Sequence, residues 1–236
     1  MKNVFLKFGL FLAFGLSTAV FYSCSKDKDD NGIGGDASKI IATNVMSNAS
    51  SEIVTVKVEV HWHDEDGEYH DDVIAQAPFR NNGFTLQLPT MVPDKYLKLL
   101  EYHLYGSYAI SDRQAKTLVS FPELDICAYD KDDNHIGYVW LADNKRLDDG
   151  NWVEWVYIDR DVTITMEYSE EYNDIRYTDK MNLNLKKGWN VAYHISTEYT
   201  WTFTTQKPSG VTFNWYAGYS DGWSAKANLK STAKKN

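Results

Sequence analysis

Three histidines lie within a short stretch that the sequence predicts to be a β-hairpin. His61 and His63 are two residues apart on an alternating strand, so their side chains share one face. Asp66-Gly67 suits a tight hairpin turn, and His70 follows on the returning strand. Imidazoles that face each other across a hairpin can share a zinc or copper ion, so this stretch is a candidate metal site.

Two registers of this hairpin are open. A two-residue turn pairs His63 with His70, and two residues further from the turn His61 then faces Asp72. A four-residue turn instead pairs His61 with His70 and brings Glu68 opposite the other histidine. Both registers gather the three histidines on one face. The candidate ligands are His61, His63, His70 and Asp72, and the alternative interpretation is a solvated strand face without an ion.

Other motifs for chemistry are weak. The acidic run 130–134 begins like a calcium loop, but histidine and leucine stand where that loop needs glycine and glutamate. It therefore predicts an ordinary hairpin turn. The sequence contains no nucleophile elbow, no HExxH and no P-loop motif, and its many carboxylates cannot be paired from sequence alone. Enzymatic activity stays an open question, and the sequence favours a protein that is not an enzyme.

The chain is rich in aromatic residues, since 8 Trp, 16 Tyr and 10 Phe make up 14% of it. Aromatic faces stack on sugar rings, although the cores of β-sandwiches are aromatic as well. Trp152 and Trp155 differ in parity within residues 151–158, so a regular strand cannot bury both on one face. An exposed tryptophan indicates a ligand site. The predicted glycan platform therefore draws on Trp140, Trp152, Trp155 and Trp223.

The elements that must position these residues alternate with a period of two. Apolar residues occupy every second position in seven stretches, which are 54–62, 84–88, 124–128, 162–168, 181–185, 199–203 and 211–215. Half-buried strands of this kind belong to antiparallel sheets with one face in water. The sequence predicts an all-β protein built as an antiparallel β-sandwich, with a closed β-barrel as the alternative.

Two stretches break the alternation. From Pro93 to Leu104 the apolar residues recur at helical spacing, which predicts one short helix packed over a sheet edge or a barrel end. Residues 169–179 are polar and are predicted to form a loop. No linker interrupts residues 39–220, so one domain is predicted, and two smaller sandwiches divided near 144–151 are the alternative. The basic tail, residues 221–236, is expected to be frayed.

Residues 1–23 have the pattern of a secretory signal. Two lysines precede an apolar run over 8–22, which has 15 residues where a membrane span needs about 20. A small residue stands before Cys24, and a charged run follows it directly. A cysteine at this place predicts cleavage before Cys24 and acylation of Cys24, with residues 24–38 as a flexible tether.

This amino-terminal segment resembles that of surface-exposed lipoproteins of Bacteroidetes-type bacteria. The likeness lies in the residues before Cys24, including Phe21-Tyr22, and in the Asp/Lys run over 25–30. It covers about the first 35 residues of the chain. The resemblance implies a lipid-anchored protein of the outer membrane that faces the exterior of the cell.

The net charge of the chain further limits the possible functions. Removing residues 1–23 takes away two lysines, so the formal net charge changes from −9 to −11. An acidic domain does not bind nucleic acid through counterion release. Apart from zinc or copper, no cofactor is predicted. The sequence predicts a cell-surface lipoprotein that binds a glycan or an extracellular protein; a fimbria-like or adhesin subunit and a carbohydrate-active hydrolase are the alternatives.

Overall fold

The computed structural model describes residues 36–47, 50–144 and 150–218. Within these ranges no helix has the length and apolar character that crossing a membrane requires. The predicted signal, Cys24, most of the predicted tether and the basic tail lie outside the described residues. Almost all regular structure is β, as predicted. The strands are β1 (Lys39–Ala42), β2 (Met46–Ser47), β3 (Thr55–His63), β4 (Tyr69–Pro78), β5 (Phe84–Gln87), β6 (Leu97–Leu99), β7 (Ser107–Ile110), β8 (Lys116–Leu118), β9 (Asp125–Tyr129), β10 (His135–Ala142), β11 (Trp152–Ile158), β12 (Val162–Tyr172), β13 (Ile175–Leu185), β14 (Gly188–Ser196), β15 (Thr200–Thr204) and β16 (Asn214–Gly218).

Most strands belong to one large sheet. Its hydrogen-bonded path runs β4-β3-β9-β10-β11-β14-β15-β13-β12-β7, and β16, β2, β8 and β6 attach beside it. A separate pair, β1 with β5, covers part of the core. Neighbouring strands are antiparallel except β13 with β15 and β16 with β2. The sheets do not close into a barrel, so the predicted sandwich is confirmed over the barrel.

Two hydrophobic cores lie on opposite faces of β11. Trp155 and Tyr157 pack in the first core, whereas Val156 and Ile158 pack in the second. Every residue of this strand is buried, so both of its faces are covered by other elements. Burial on both faces is the reason that Trp152 and the other apolar residues of β11 break the simple alternation.

The stretch from Pro93 to Leu104 is not one continuous helix. It forms two 3-10 turns, Asp94–Tyr96 and Leu100–His103, on either side of β6. The backbone of β6 pairs with β8, and this pairing interrupts the helical path between the two turns. The helical spacing of apolar residues therefore arises from two separate single turns and the residue that follows each of them, Leu97 and Leu104.

Residues 169–179 form a hairpin and not the predicted loop. Strands β12 and β13 stay paired up to Tyr172 and Ile175. Asn173 and Asp174 close the hairpin with φ of 52° and 61°, which is the conformation of a two-residue type I′ turn. Asn and Asp adopt this left-handed backbone more readily than most residues do. We call the paired residues 168–179 the arm.

The other short turns follow the sequence more closely. The run 130–134 joins β9 to β10 as an ordinary turn, with Asp133 at φ 63°. Strands β10 and β11, which flank the predicted alternative division near 144–151, pair directly through Leu141 and Val153. The number of domains stays a prediction.

Candidate functional site

The arm continues the core-facing side of two strands beyond the core. Val162, Ile164 and Met166 of β12 are buried in the second core, as are Met181 and Leu183 of β13. Past this point the side chains on the same side are exposed on β12 and mostly half-buried on β13. They are nevertheless largely aromatic, with Tyr168, Tyr172 and Tyr177 following the alternation of the two strands.

Strand β15 adds a tryptophan to this exposed side. Parallel pairing places Trp201 beside Asp179 and, two residues along, Phe203 beside Met181 in the second core. Trp201 is 37% exposed, and it is the one tryptophan of the described residues with an exposed side chain. Its position on the continuation of a core-facing side explains how a large apolar ring comes to lie at the surface.

The rings on this side contact one another. Tyr177 stacks on Trp201, with ring centroids 5.9 Å apart and planes inclined by 18°. Tyr199 meets Tyr177 edge-on at 6.0 Å. We call this set the aromatic face. Its member Tyr177 is half-buried, and its other members, which are exposed, are Tyr105, Tyr168, Tyr172, Tyr199 and Trp201.

Tyr105 reaches the aromatic face from the chain before β7. Its ring meets Tyr168 edge-on at 5.3 Å, and its hydroxyl donates a 2.8 Å hydrogen bond to Asp179. Burial and this hydrogen bond both raise the pKa of Tyr105. Gly106 makes the approach feasible, because a Cβ there would lie 2.9 Å from the carbonyl oxygen of Glu167 and would have to fit a backbone with φ of 65°.

Carboxylates border the aromatic rings. Glu170 accepts a 3.3 Å hydrogen bond from the hydroxyl of Tyr168. Glu198 accepts one from the hydroxyl of Tyr199. Flat apolar rings with acceptors at their margin match the two surfaces of a sugar, because C–H groups stack on rings while hydroxyls donate to carboxylates.

Two members of the predicted tryptophan platform are buried. Trp152 and Trp155 are only 4% and 3% exposed, because β11 lies between covered faces. Trp152 stacks on His194 at 4.2 Å, and Trp155 stacks on Trp215 at 5.7 Å. Neither ring is available to a ligand.

For the two other predicted tryptophans, a role in ligand binding stays a prediction. Trp140 is half-buried and stacks on Tyr216, with ring centroids 6.0 Å apart. Trp223 lies outside the described residues. Sequence reasoning missed Trp201 as the exposed ring, although Trp201 and Tyr199 share one side of a strand next to a polar stretch. That adjacency is the signal that could have found the aromatic face.

The histidine hairpin has neither predicted register at its tip. At the end far from the turn, Val58 pairs with Ala75, which is the pairing expected for a two-residue turn at Asp66-Gly67. A bulge between Val58 and Glu59 then shifts the pairing by one residue, so that His70 faces Trp62. A shift of one residue moves a side chain to the other face of the strand. The prediction that the three histidines share a face is therefore wrong.

The turn itself explains the shift. Residues 64–68 form a five-residue loop in which Asp64 accepts hydrogen bonds from the backbone N–H groups of Asp66, at 3.0 Å, and Glu68, at 2.8 Å. This side-chain closure replaces the tight Asp-Gly turn. The loop is one residue longer than the four-residue turn considered from the sequence, and the bulge accommodates the difference.

The predicted ligand Asp72 is occupied by protein donors. It accepts hydrogen bonds from Trp62 at 2.7 Å, Lys95 at 2.9 Å and Tyr96 at 3.0 Å. The bond from Lys95 is the first cause of the lowered pKa of Asp72. His70 stacks on Trp62 with ring centroids 4.6 Å apart. This group fastens the hairpin to the first 3-10 turn.

His61 lies between two carboxylates on the other face. Its Nδ1 contacts Asp71, and its Nε2 lies 3.1 Å from Asp125. Partial burial lowers the pKa of His61, but the hydrogen bond with Asp71 and the charges of the carboxylates outweigh burial, so the net pKa is raised. Burial raises the pKa of Asp125. These contacts join β4, β3 and β9 into one polar network.

Another small group at the hairpin tip has suitable ligand atoms for a cation. Asp64, Glu68 and His70 each offer one atom, and these atoms lie within 4.8 Å of one another. His70 already contacts Asp64 at 3.0 Å. The group is exposed or half-buried, and the carboxylate of Asp64 also stabilises the turn. Its contacts are those of a capped hairpin loop.

No protein-family model, curated protein or solved structure matches this chain.

Proposed function

We propose that this protein is a lipid-anchored protein of the cell surface that binds glycans through the aromatic face. The observation that carries the proposal is the stack of Tyr177 on Trp201 at the exposed end of a core-facing side. Large apolar rings exposed together are characteristic of interaction sites. In this proposal a sugar ring lies against the exposed part of the Trp201 ring, which the stacking of Tyr177 holds in place.

Polar groups at the margin supply the orientation that stacking alone lacks. Asp179 and Glu170 are acceptors beside the rings, and sugar hydroxyls are donors. The hydroxyl of Tyr105 holds Asp179, which limits the positions of that carboxylate before a ligand arrives. Pre-organised acceptors bind more tightly because less side-chain freedom is lost on binding.

The anchor is proposed from the sequence. Acylation of Cys24 gives membrane affinity of about 0.8 kcal/mol for each buried methylene, so several acyl chains hold the protein firmly. The chain from Cys24 to Asp36 can span at most about 40 Å when extended. This reach lets the folded domain stand clear of the membrane and meet polysaccharides outside the cell.

A structural subunit that assembles through sheet edges is the second candidate. Among the described strands, β4 ends the strand path and has 10 residues with one hydrogen-bonded neighbour. Asp71, Asp72 and Pro78 on this strand are the kind of residue that protects an edge from pairing. We therefore favour glycan binding, and a monomer in analytical ultracentrifugation at tens of micromolar would count against assembly.

The experiment that tests the proposal is a glycan array probed with the full-length protein in detergent micelles. We expect binding to a defined set of polysaccharides and loss of that binding in a Tyr177→Ala/Trp201→Ala variant. The matched control is Tyr69→Ala, because Tyr69 is an exposed tyrosine on β4, at the other end of the strand path. Binding that survives in the double variant, or no binding to any glycan, would contradict the proposal.

A further inference from the structure

Charge is distributed unequally between the two sides of the arm. The side that carries the aromatic face also carries Glu170 and Asp179, in line with Tyr168 and Tyr177 by alternation and pairing. Glu198 joins them through its hydrogen bond with Tyr199. In the described residues of β7, β12, β13 and β15, no lysine or arginine lies on this side.

The cations of the arm lie on the reverse side, where they have acidic partners. Lys180 lies opposite Glu167, with Nζ 3.9 Å from the carboxylate. Arg176 pairs in register with Glu171. The reverse side is therefore close to neutral, and the aromatic face keeps uncompensated negative charge.

The carboxylates beside the aromatic face raise the pKa values of two tyrosines. The charge of Glu170 is the first cause that raises the pKa of Tyr168. The hydrogen bond to Glu198 is the first cause that raises the pKa of Tyr199. A raised pKa means that a second negative charge is disfavoured at these positions, and the same repulsion acts on an anionic ligand.

We infer that the aromatic face selects uncharged glycans and rejects glycans that carry carboxylate or sulfate groups. This inference rests on the proposed function, because it names the ligand class of the same site. A neutral sugar donates its hydroxyls to Asp179 and Glu170 while its ring stacks on Trp201. A uronate or sulfate in the same place would face carboxylates without a cation to pair with, and repulsion at such short range corresponds to about tenfold weaker binding or more.

Matched ligands test the inference directly. Each neutral polysaccharide that the array identifies is prepared in a carboxymethylated form and in a hydroxyethylated form at equal substitution. The hydroxyethyl group controls for bulk because it is uncharged. We expect the full-length protein in neutral detergent to bind the carboxymethyl form at least tenfold more weakly than the hydroxyethyl form in 20 mM NaCl. Raising NaCl to 0.5 M should reduce this difference in affinity between the two forms, because salt screens exposed charges.

Isosteric variants identify the charges responsible. In a Glu170→Gln/Asp179→Asn variant the difference in affinity between the hydroxyethyl and carboxymethyl derivatives should become smaller. The amides keep the shape of the side chains without their charge. Equal binding of both derivatives by the wild type, or array binding confined to anionic glycans and lost in Trp201→Ala, would overturn the charge selectivity and leave glycan binding standing. No binding to any glycan would overturn the proposed function and this inference together.

Discussion

Tyr177 and Trp201 stack across two parallel strands, with ring centroids 5.9 Å apart, at the place where the second hydrophobic core ends. Buried Met181 and Phe203 lie next to them on the same side of the same strands. The second core and the aromatic face therefore share one side of the sheet. The sandwich fixes the backbone beneath the rings, while Trp201 stays exposed to solvent.

The close approach of Tyr105 to the arm depends on Gly106. We expect Gly106→Ala to lower the free energy of unfolding by about 2 kcal/mol, because the new Cβ meets backbone and Cβ atoms of the arm and the backbone is left-handed. Gly210→Ala is the matched control, since its φ of 73° is similar but the space around it is open. Its cost should be about 1 kcal/mol. Equal losses in urea unfolding of the two variants would contradict this account of Gly106.

The network around His61 predicts a dependence of stability on pH. Because the pKa of His61 is raised in the folded protein, its contribution is complete below the unfolded pKa near 6.5 and is lost as pH rises through the folded value. The pKa of Asp71 is lowered, first by its hydrogen bond with His61, so its contribution is present above about 4 and is lost as pH falls further.

The measurement compares wild type with His61→Gln by urea unfolding at pH 5.5 and pH 8.5. The stability lost in the variant should be greater at pH 5.5, by up to about 1 kcal/mol, because both partners are partly exposed. His63→Gln is the control on the same face of β3. A loss that does not change between the two pH values would show that the carboxylates do not hold a charged imidazole.

The observed register makes a prediction about metal ions. Since His61 and His63 lie on the face opposite His70, a His61→Ala/His63→Ala variant should give the same heat as wild type in calorimetric titrations with zinc and copper. Any heat at this hairpin should instead be lost in His70→Ala, whose imidazole lies beside Asp64 and Glu68. Loss of heat in the double variant alone would restore the predicted histidine site.

Much of the fold could be predicted because alternation reports burial on one face. The alternating stretches at 54–62, 162–168 and 181–185 lie within or overlap β3, β12 and β13. The arm was missed because it extends past the core, so polar residues interrupt the apolar alternation on the side that faces the core further along the strands. The Asn173-Asp174 pair was the remaining local signal for its turn.

The site depended on long-range contacts that a single sequence does not encode locally. Trp152 and Trp155 are buried because other strands cover both faces of β11. A bulge of one residue after Val58 decided the histidine register. Trp201 and Asp179 are 22 positions apart in the chain and became neighbours only through parallel pairing of β13 with β15.

Membrane attachment is predicted from the segment that ends at Cys24. A Cys24→Ala variant should lose lipid labelling and either appear in the soluble fraction or stay unprocessed, because the acyl chains supply the membrane affinity. Labelling with a radioactive fatty acid and fractionation of cells measure both outcomes. Wild-type protein that takes up no label, together with a variant that stays in the membrane after processing, would contradict the lipid anchor.

The most direct test of the central claim is calorimetric titration of a neutral glycan from the array into wild type, Trp201→Ala, Trp201→Phe and Tyr69→Ala. We expect Trp201→Ala to weaken binding by about tenfold or more, because the stacked surface is removed. Trp201→Phe should retain part of the affinity, and Tyr69→Ala should bind like wild type. Wild-type affinity in a folded Trp201→Ala variant would contradict the assignment of glycan binding to the aromatic face.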